Sequence, residues 1–117
     1  MPRSVATYLA DIVEACDAIR DVLAGVDLAT YEQQRAIRSA VEREFIIIGE
    51  AVASIRRVDP AVVEGISHAR MIVGFRNVLT HDYAAVDDET VFGVATDDLP
   101  ALREECAGLL ERFGGAD

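Results

Sequence analysis

Lysine is absent from this 117-residue chain, so all eleven of its fixed basic side chains are arginines. The chain carries 21 acidic residues, and its formal net charge at pH 7 is −10. This acidity excludes a protein that binds nucleic acid non-specifically through bulk positive charge. The acidity does not exclude a small local site for an anionic ligand. The fixed positive charge of such a site would have to come from the forked guanidinium group of Arg.

Long apolar runs are also missing. The longest run is Phe45 to Ile48, whereas a helix that crosses a bilayer needs about 20 apolar residues. Asp11 and Glu14 occupy the region in which a secretory signal would carry its apolar core. We therefore expect a cytoplasmic protein with no membrane partner.

Cysteine is scarce, since only Cys16 and Cys106 are present. Two widely separated thiols in a chain without a secretory signal are expected to be reduced core residues rather than a disulfide. The sequence contains no CxxC, no HExxH and no Cys/His cluster with zinc spacing. It therefore predicts neither a metal site nor a bound cofactor.

The chain does contain enough apolar material for a core. Hydrophobic residues make up 51% of a length that is typical of one domain, which predicts a single domain over residues 1–117. Charge is distributed unevenly: residues 31–76 hold seven Arg and six acidic residues, whereas residues 77–117 hold two Arg and ten acidic residues. An anionic ligand is therefore expected to meet the middle of the chain.

Apolar residues recur at three- and four-residue steps, which predicts helices. The predicted helical stretches cover about 5–23, 31–57, 60–66, 68–81 and 89–113. Each is preceded by side chains suited to an N-cap, namely Ser4, Thr30, Asp59, Ser67 and either Asp87 or Asp88. Pro100 divides or kinks the last stretch. No strand pair is predicted, so the expected fold is all-α, an antiparallel bundle of four to five helices.

A polar group of four residues near the end of the fourth predicted helix has spacing that suits chemistry. Arg76 and Tyr83 are seven residues apart and Asn77 and His81 are four apart, so each pair shares a helix stripe. Arg76 and His81 are separated by about 140° around the axis and ~7.5 Å along it. That offset is awkward within one helix but useful if two copies face each other across a two-fold axis.

The residue types in this group suit metal-independent cleavage of RNA. His81 would move protons at the 2′-hydroxyl or the leaving oxygen, and Arg76 would stabilise the charged phosphorus centre. A plainer interpretation also stands at this point, because Arg and His near a helix C-terminus are commonly partners of the helix dipole or ordinary surface residues.

The segment from Gly74 to Tyr83, followed by Val86-Asp87, resembles the signature of the HepT-like branch of the HEPN superfamily. That signature is Arg, four residues, His, one residue and Tyr. Ile47-Ile48-Gly49-Glu50-Ala51 and Asp98-Leu99-Pro100-Ala101-Leu102 are also similar to segments of this family, so the resemblance covers nearly the whole chain. Relatives often carry Pro-Trp where this chain has Ser67-His68, a difference that concerns packing rather than chemistry.

The resemblance implies a homodimeric helical bundle that acts as a metal-independent endoribonuclease on single-stranded RNA, with no role for DNA. Arg76 and His81 would be catalytic in a cleft between the subunits, with Asn77 in support. The family implies the toxin of a toxin–antitoxin pair, whose MntA-like nucleotidyltransferase antitoxin transfers AMP to Tyr83. The bulk and negative charge of AMP beside Arg76 and His81 would exclude an RNA phosphate.

Other roles stay open from the sequence. Arg38, Arg43 and Arg70 are candidates for guiding RNA into the cleft, although ion pairs with neighbours such as Glu42 are the default interpretation. Glu50 is either a buried partner of the motif helix or, by preference, a solvated residue. The alternative functions are a catalytically idle HEPN-like module, which binds a nucleotide or anchors a nucleotidyltransferase, and a structural helical adaptor.

Overall fold

The computed structural model describes residues 4–113, so the expected domain limits at residues 1 and 117 lie outside it. Within that range, helices follow one another with no strand between them, which confirms the predicted all-α class. The elements are α1 Val5–Leu23, α2 Leu28–Gln33, α3 Arg35–Val58, α4 Pro60–Val63, α5 Ala69–His81, a 3₁₀ turn Tyr83–Ala85, α6 Asp88–Gly93, a π-helical segment Val94–Asp98 and α7 Leu99–Arg112.

Helix α1 begins and ends where the sequence predicts. The Ser4 hydroxyl oxygen accepts a hydrogen bond from the backbone N–H of Thr7 at 3.1 Å, which satisfies one of the free N–H groups of the first turn. The predicted apolar stripe is buried, including Leu9, Ile12, Cys16 and Ile19. Gly25 follows the helix with a φ of +75°, a conformation that glycine adopts without strain.

The prediction of one long helix from residue 31, capped at Thr30, is wrong. The chain forms a short helix, α2, before residue 34, and α3 begins only after an extended Gln34. Asp27 is the cap of α2, because its carboxylate accepts from the backbone N–H of Thr30 at 2.8 Å. A contact with a residue far along the chain accounts for the break: the buried Tyr31 ring contacts Phe92 of α6, with ring centroids 5.4 Å apart.

The segment before α5 also departs from the prediction. Pro60 begins α4 as expected, but the helix ends at Val63 rather than near residue 66. Ser67 does not cap α5, because its backbone N–H and its hydroxyl both donate to the carboxylate of Glu105 on α7. His68 takes the N-cap position with a φ of 62°, and α5 runs from Ala69 to the predicted end at His81.

The last helical stretch is divided near Pro100, as predicted. Asp87 caps α6 by accepting from the backbone N–H of Thr90 at 3.3 Å. The wider π-helical turns follow, closed by a hydrogen bond from the N–H of Leu99 to the carbonyl of Val94. Pro100, which has no N–H to donate, then lies in the first turn of α7, where none is needed.

Helix α3 lies between α1 and α5. Helix α1 packs along α3 and also against α7, whereas α5 packs mainly against α3 alone. Arg103 of α7 donates to Asp17 of α1, with 3.0 Å between Nε and Oδ1, and this interaction holds the pKa of Asp17 below its ordinary value. The consequence is an outer helix, α5, with one covered face and one uncovered face.

Cys16 and Cys106 are buried free thiols, which confirms the prediction for both. Burial raises the pKa of each thiol to about 12, so both stay protonated near neutral pH. No helix within residues 4–113 is long and apolar enough to cross a membrane.

Candidate active site

Helices α3 and α5 are in close contact at Gly49. A methyl group on this residue would overlap the Cβ atom of Arg76, and it would lie 2.7 Å from the Cγ atom of Arg76 and 3.3 Å from the carbonyl oxygen of Ile72. Any other residue at this position would force the two helices apart. The absence of a side chain at Gly49 therefore lets α5 lie close to α3 at Arg76, and this close approach limits the directions that the first carbons of the Arg76 side chain can take.

The contact between α3 and α5 continues along α3 at the Phe45 ring, one turn before Gly49. The rings of Phe45 and Phe75 meet edge to face, with centroids 5.1 Å apart. One turn earlier again, on the same stripe of α3, Glu42 is buried. The two helices run antiparallel, and the contact at Gly49 places the base of the Arg76 side chain on the side of α5 that faces α3.

The guanidinium group of Arg76 has no ion-pair partner among residues 4–113, and its buried Nε–H has no hydrogen-bond acceptor. Other partly buried arginines of the fold are paired: Arg103 contacts Asp17, and the Nε of Arg38 lies 3.7 Å from a carboxylate oxygen of Asp88. In a chain with this excess of acid, a half-buried arginine without a carboxylate partner is a ready site for an external anion.

Asn77 and His81 lie on the opposite, uncovered face of α5, and both are exposed. Gly74 is on the same stripe, three and seven residues before them, and nothing lies within 4 Å of the place where its Cβ atom would be. His81 is the last residue of α5. Arg76 and His81 thus lie on different faces of α5, as the predicted angular offset of about 140° requires.

Tyr83 begins the 3₁₀ turn that follows α5 and is 64% exposed. Burial raises the pKa of Glu42, and the negative charge of Asp88 adds to the effect, while Arg38 and the Tyr83 hydroxyl oppose it. Burial also raises the pKa of the Tyr31 hydroxyl.

From the sequence, Glu42 is expected only to be an ion-pair neighbour of the arginines, and its burial beside this contact is not predicted. Its spacing is the one signal: Glu42 and Gly49 are seven residues apart, so they share a stripe, and an isolated glycine inside a helix commonly has a packing reason. Glu50, the alternative buried partner of the motif helix, is exposed, in agreement with the preferred interpretation.

A family model described as "Ribonuclease HepT-like" matches residues 12–109. The chain belongs to the HepT-like ribonuclease family. The matched range contains the whole of α3 and α5, the turn with Tyr83, and the contact between Gly49 and Arg76.

Relatives of this HepT-like chain are similar over nearly their full lengths. A protein of Methanocaldococcus jannaschii named "Putative RNase" is 28% identical over 117 residues, which cover 98% of this chain and 94% of the relative. A second protein of that organism with the same kind of name is 29% identical over 103 residues, covering 88% of this chain and 94% of the relative. A Thermococcus cleftensis protein named "Probable ribonuclease HepT" is 29% identical over 107 residues, covering 88% and 93%. No solved structure matches the chain.

The three arginines that are candidates for guiding RNA differ in whether their side chains have partners within this HepT-like chain. Arg38 is occupied: it donates to the carbonyl oxygens of Tyr31 and Glu32 at the end of α2, and it contacts Asp88. Arg43 and Arg70 are exposed and form no ion pair within residues 4–113. Over the same part of the chain, no group of three or more His, Cys, Asp or Glu side chains is placed to hold a metal ion.

Proposed function

We propose that this chain is the toxin of a toxin–antitoxin pair and acts as a homodimeric, metal-independent endoribonuclease. Each active site would combine Arg76 of one subunit with His81 of the other. A nucleotidyltransferase antitoxin of the MntA-like kind would neutralise the enzyme by transferring AMP to Tyr83.

The unpaired guanidinium group of Arg76 carries this proposal. It is fixed at its base by Gly49 and lacks any internal partner within residues 4–113, so an RNA phosphate can take the vacant hydrogen-bond positions without displacing a carboxylate. His81 is exposed and suited to proton transfer. It would take the proton of the 2′-hydroxyl, whose oxygen attacks phosphorus as the bond to the 5′ oxygen breaks and leaves a 2′,3′-cyclic phosphate.

The uncovered face of α5 supports the dimer. Met71 is 43% exposed on this face, Val78 is half-buried beside it, and Gly74 leaves an open strip along which a second helix can approach closely. A two-fold axis through this strip would bring Asn77 and His81 of one copy towards the other copy.

The position of Tyr83 supports its role as the modified residue. The side chain is largely exposed, so a partner enzyme can reach it, and it begins the turn that follows α5, seven residues after Arg76. An attached AMP would bring a phosphodiester charge towards the guanidinium that has no internal partner. This would occupy the phosphate site and block RNA.

The decisive experiment mixes two inactive variants, Arg76→Ala and His81→Ala. Each alone should lose RNA cleavage while keeping the dimer. If the site is shared between subunits, a mixed dimer contains one complete site, so an equimolar exchanged mixture should regain about a quarter of the wild-type activity under random pairing. Arg56→Ala, an exposed arginine of α3 outside the site, is the control and should cleave RNA normally.

The outcomes separate the candidate functions. No recovery in the mixture, with both single variants inactive, would place Arg76 and His81 in the same protomer's site and reject the shared arrangement. Wild-type levels of cleavage and toxicity in both single variants would reject the ribonuclease site altogether. A wild-type protein that cleaves no RNA yet binds its nucleotidyltransferase tightly would favour the idle binding module instead.

A further inference from the structure

A groove of about 190 Å³ lies between α3, α5 and the last helical stretch. Its floor is apolar and comes from all of these elements: Phe45, Ile48, Ile72, Phe75, Leu99 and Leu102. Met71 of α5 and Ala101 of α7 are exposed at its edges. Arg76, Asn77 and His81 do not line it. The groove is therefore an apolar surface open to solvent and separate from the proposed catalytic residues.

Three carboxylates line the same groove, namely those of Asp97, Asp98 and Glu105. Asp97 and Asp98 are exposed and form no ion pair within residues 4–113. Among the described residues that line the groove, His68 is the one side chain able to carry a positive charge. The apolar floor is thus bordered by negative charge that the chain itself does not neutralise.

Glu105 also holds the groove in shape. Its carboxylate accepts hydrogen bonds from the backbone N–H of Ser67, at 3.1 Å, and from the Ser67 hydroxyl. These bonds join the segment before α5 to α7. The next residue, His68, has a φ of 62°, which is uncommon for a residue other than glycine. The groove is therefore formed before any partner binds, which lowers the cost of binding.

The size and the charge of the groove limit what can occupy it. Pockets for small-molecule ligands hold roughly 300–1,000 Å³, so this groove suits one or two side chains of a larger molecule. Its carboxylates repel RNA phosphates and anionic lipid headgroups. A second copy, with a formal net charge of −10, would bring the same three carboxylates against these across a two-fold axis. A protein segment that carries Arg or Lys beside an apolar side chain fits both the floor and the border.

We propose that this groove docks a partner protein through an apolar side chain flanked by Arg or Lys. The apolar side chain would cover the floor beside Met71, and its basic neighbours would pair with Asp97 and Asp98. The buried side chain supplies affinity, while the carboxylates guide the approach and orient the partner. Gly74, at the centre of the proposed dimer contact, does not line the groove, so one protomer can hold both a second copy and this partner.

This docking site rests on the proposed function in one respect, because its partner is the nucleotidyltransferase antitoxin. An enzyme that transfers AMP to Tyr83 has to hold the toxin chain while it does so. A surface away from Arg76 and His81 lets it bind without competing for the catalytic groups.

The first test fills the groove. Ala101→Trp places a large ring at an exposed position of α7 that lines it. The affinity of the full-length protein for its purified nucleotidyltransferase, measured by titration calorimetry, should fall by about 30-fold or more, as it does when one central anchor of an interface is lost. Ala36→Trp makes the same change at an exposed position of α3 outside the groove, and it should bind as the wild type does.

The second test removes the charge. Asp97→Asn combined with Asp98→Asn should lower the affinity by about 5-fold at low salt, mainly through slower association, and the difference should vanish at high salt. Glu89→Gln combined with Glu111→Gln removes the same amount of charge from exposed positions outside the groove. This control should bind as the wild type does, which separates the local charge from the net charge.

The third test identifies the chemistry of the occupant. Ala101→Cys is labelled with benzophenone maleimide, and the complex is irradiated. The label is confined to residue 101, because Cys16 and Cys106 are buried and stay protonated near neutral pH. The cross-linked segment of the nucleotidyltransferase should contain an apolar residue flanked by Arg or Lys. A cross-link to an acidic segment, or to a second copy of this chain, would overturn the proposal.

The outcomes distinguish this proposal from the proposed function. If the wild type forms no complex with the nucleotidyltransferase, the antitoxin pairing is rejected, and this occupant of the groove with it. If the wild type binds and both groove variants bind as tightly, the docking site alone is rejected. If Ala101→Trp stays dimeric but loses RNA cleavage, the groove belongs to the path of the substrate and the proposal fails. If Ala101→Trp does not fold, the Asp97→Asn and Asp98→Asn pair and the cross-link decide.

Discussion

The α-carbon of Gly49 lies against the first two side-chain carbons of Arg76, so closely that a single methyl group on Gly49 would overlap them. This contact joins the packing of α3 on α5 to the placement of the proposed phosphate-binding group. The Arg76 side chain has little freedom at its base, while its guanidinium end is without an internal partner in the described residues.

Gly49→Ala should therefore impair both stability and RNA cleavage. The added methyl group meets side-chain carbons and a backbone carbonyl of α5, so we expect a loss of about 1–3 kcal/mol in the free energy of unfolding. Urea denaturation measures this loss, and cleavage of a single-stranded RNA should fall because Arg76 is displaced.

Gly108→Ala is the matched control. Gly108 lies in α7 with nothing near its missing Cβ atom, so alanine there should raise the free energy of unfolding by about 0.5–1 kcal/mol. Equal stability of the Gly49→Ala variant and the wild type would show that α5 can shift without cost, and it would contradict the account given for this contact.

Gly74→Leu should prevent dimerisation without harming the protomer. The space around Gly74 is open, and leucine is a good helix former, so the isolated helix tolerates the change. A second α5 approaching along this strip would meet the new side chain. Light scattering after size exclusion should show a monomer, and RNA cleavage should be lost with it. Gly108→Leu makes the same substitution in α7 and should stay dimeric and active.

The three arginines considered for RNA guidance should separate into two classes. Arg43→Ala and Arg70→Ala should weaken RNA binding and reduce its salt dependence, because each removes an exposed charge that has no internal partner in the described residues. Arg38→Ala should instead lower the thermal midpoint, since it removes the contacts that join the end of α2 to α3 and α6. Unchanged stability of Arg38→Ala would return this residue to the RNA-guiding group.

Asp17 should give the fold a component of stability that depends on pH. The hydrogen bond from Arg103 holds its pKa below the ordinary value. A carboxyl group whose pKa is lower when folded stabilises the fold above its unfolded pKa, near 4, and this contribution is lost as pH falls through the folded value. Thermal unfolding between pH 7 and pH 3 should therefore show a smaller decrease for Asp17→Asn than for the wild type. Parallel curves would show that the ion pair adds nothing.

The sequence predicts much of the fold because the stripe of α1 and the caps at Ser4 and Asp87 are local signals. The apolar spacing of α5 predicts its buried side only in part, since Ile72 and Leu79 are buried but Met71 is 43% exposed. The sequence does not predict the break at Gln34, because the contact between Tyr31 and Phe92 joins residues that are far apart in the chain.

The sequence likewise predicts only part of the candidate site. The spacing of Arg76, Asn77, His81 and Tyr83 already indicates that they lie on two faces of a helix. Which of those faces is covered, and by what, depends on α3. For that reason neither the role of Gly49 nor the burial of Glu42 follows from the motif alone.

The opposite directions of Arg76 and His81 on α5 have a consequence for dosage. Under the proposed shared site, a newly made chain is harmless until it meets a second one. Below the dimer dissociation constant, RNA cleavage then rises with the square of the toxin concentration. A small excess of toxin over its antitoxin would be tolerated, and a larger one would arrest growth abruptly.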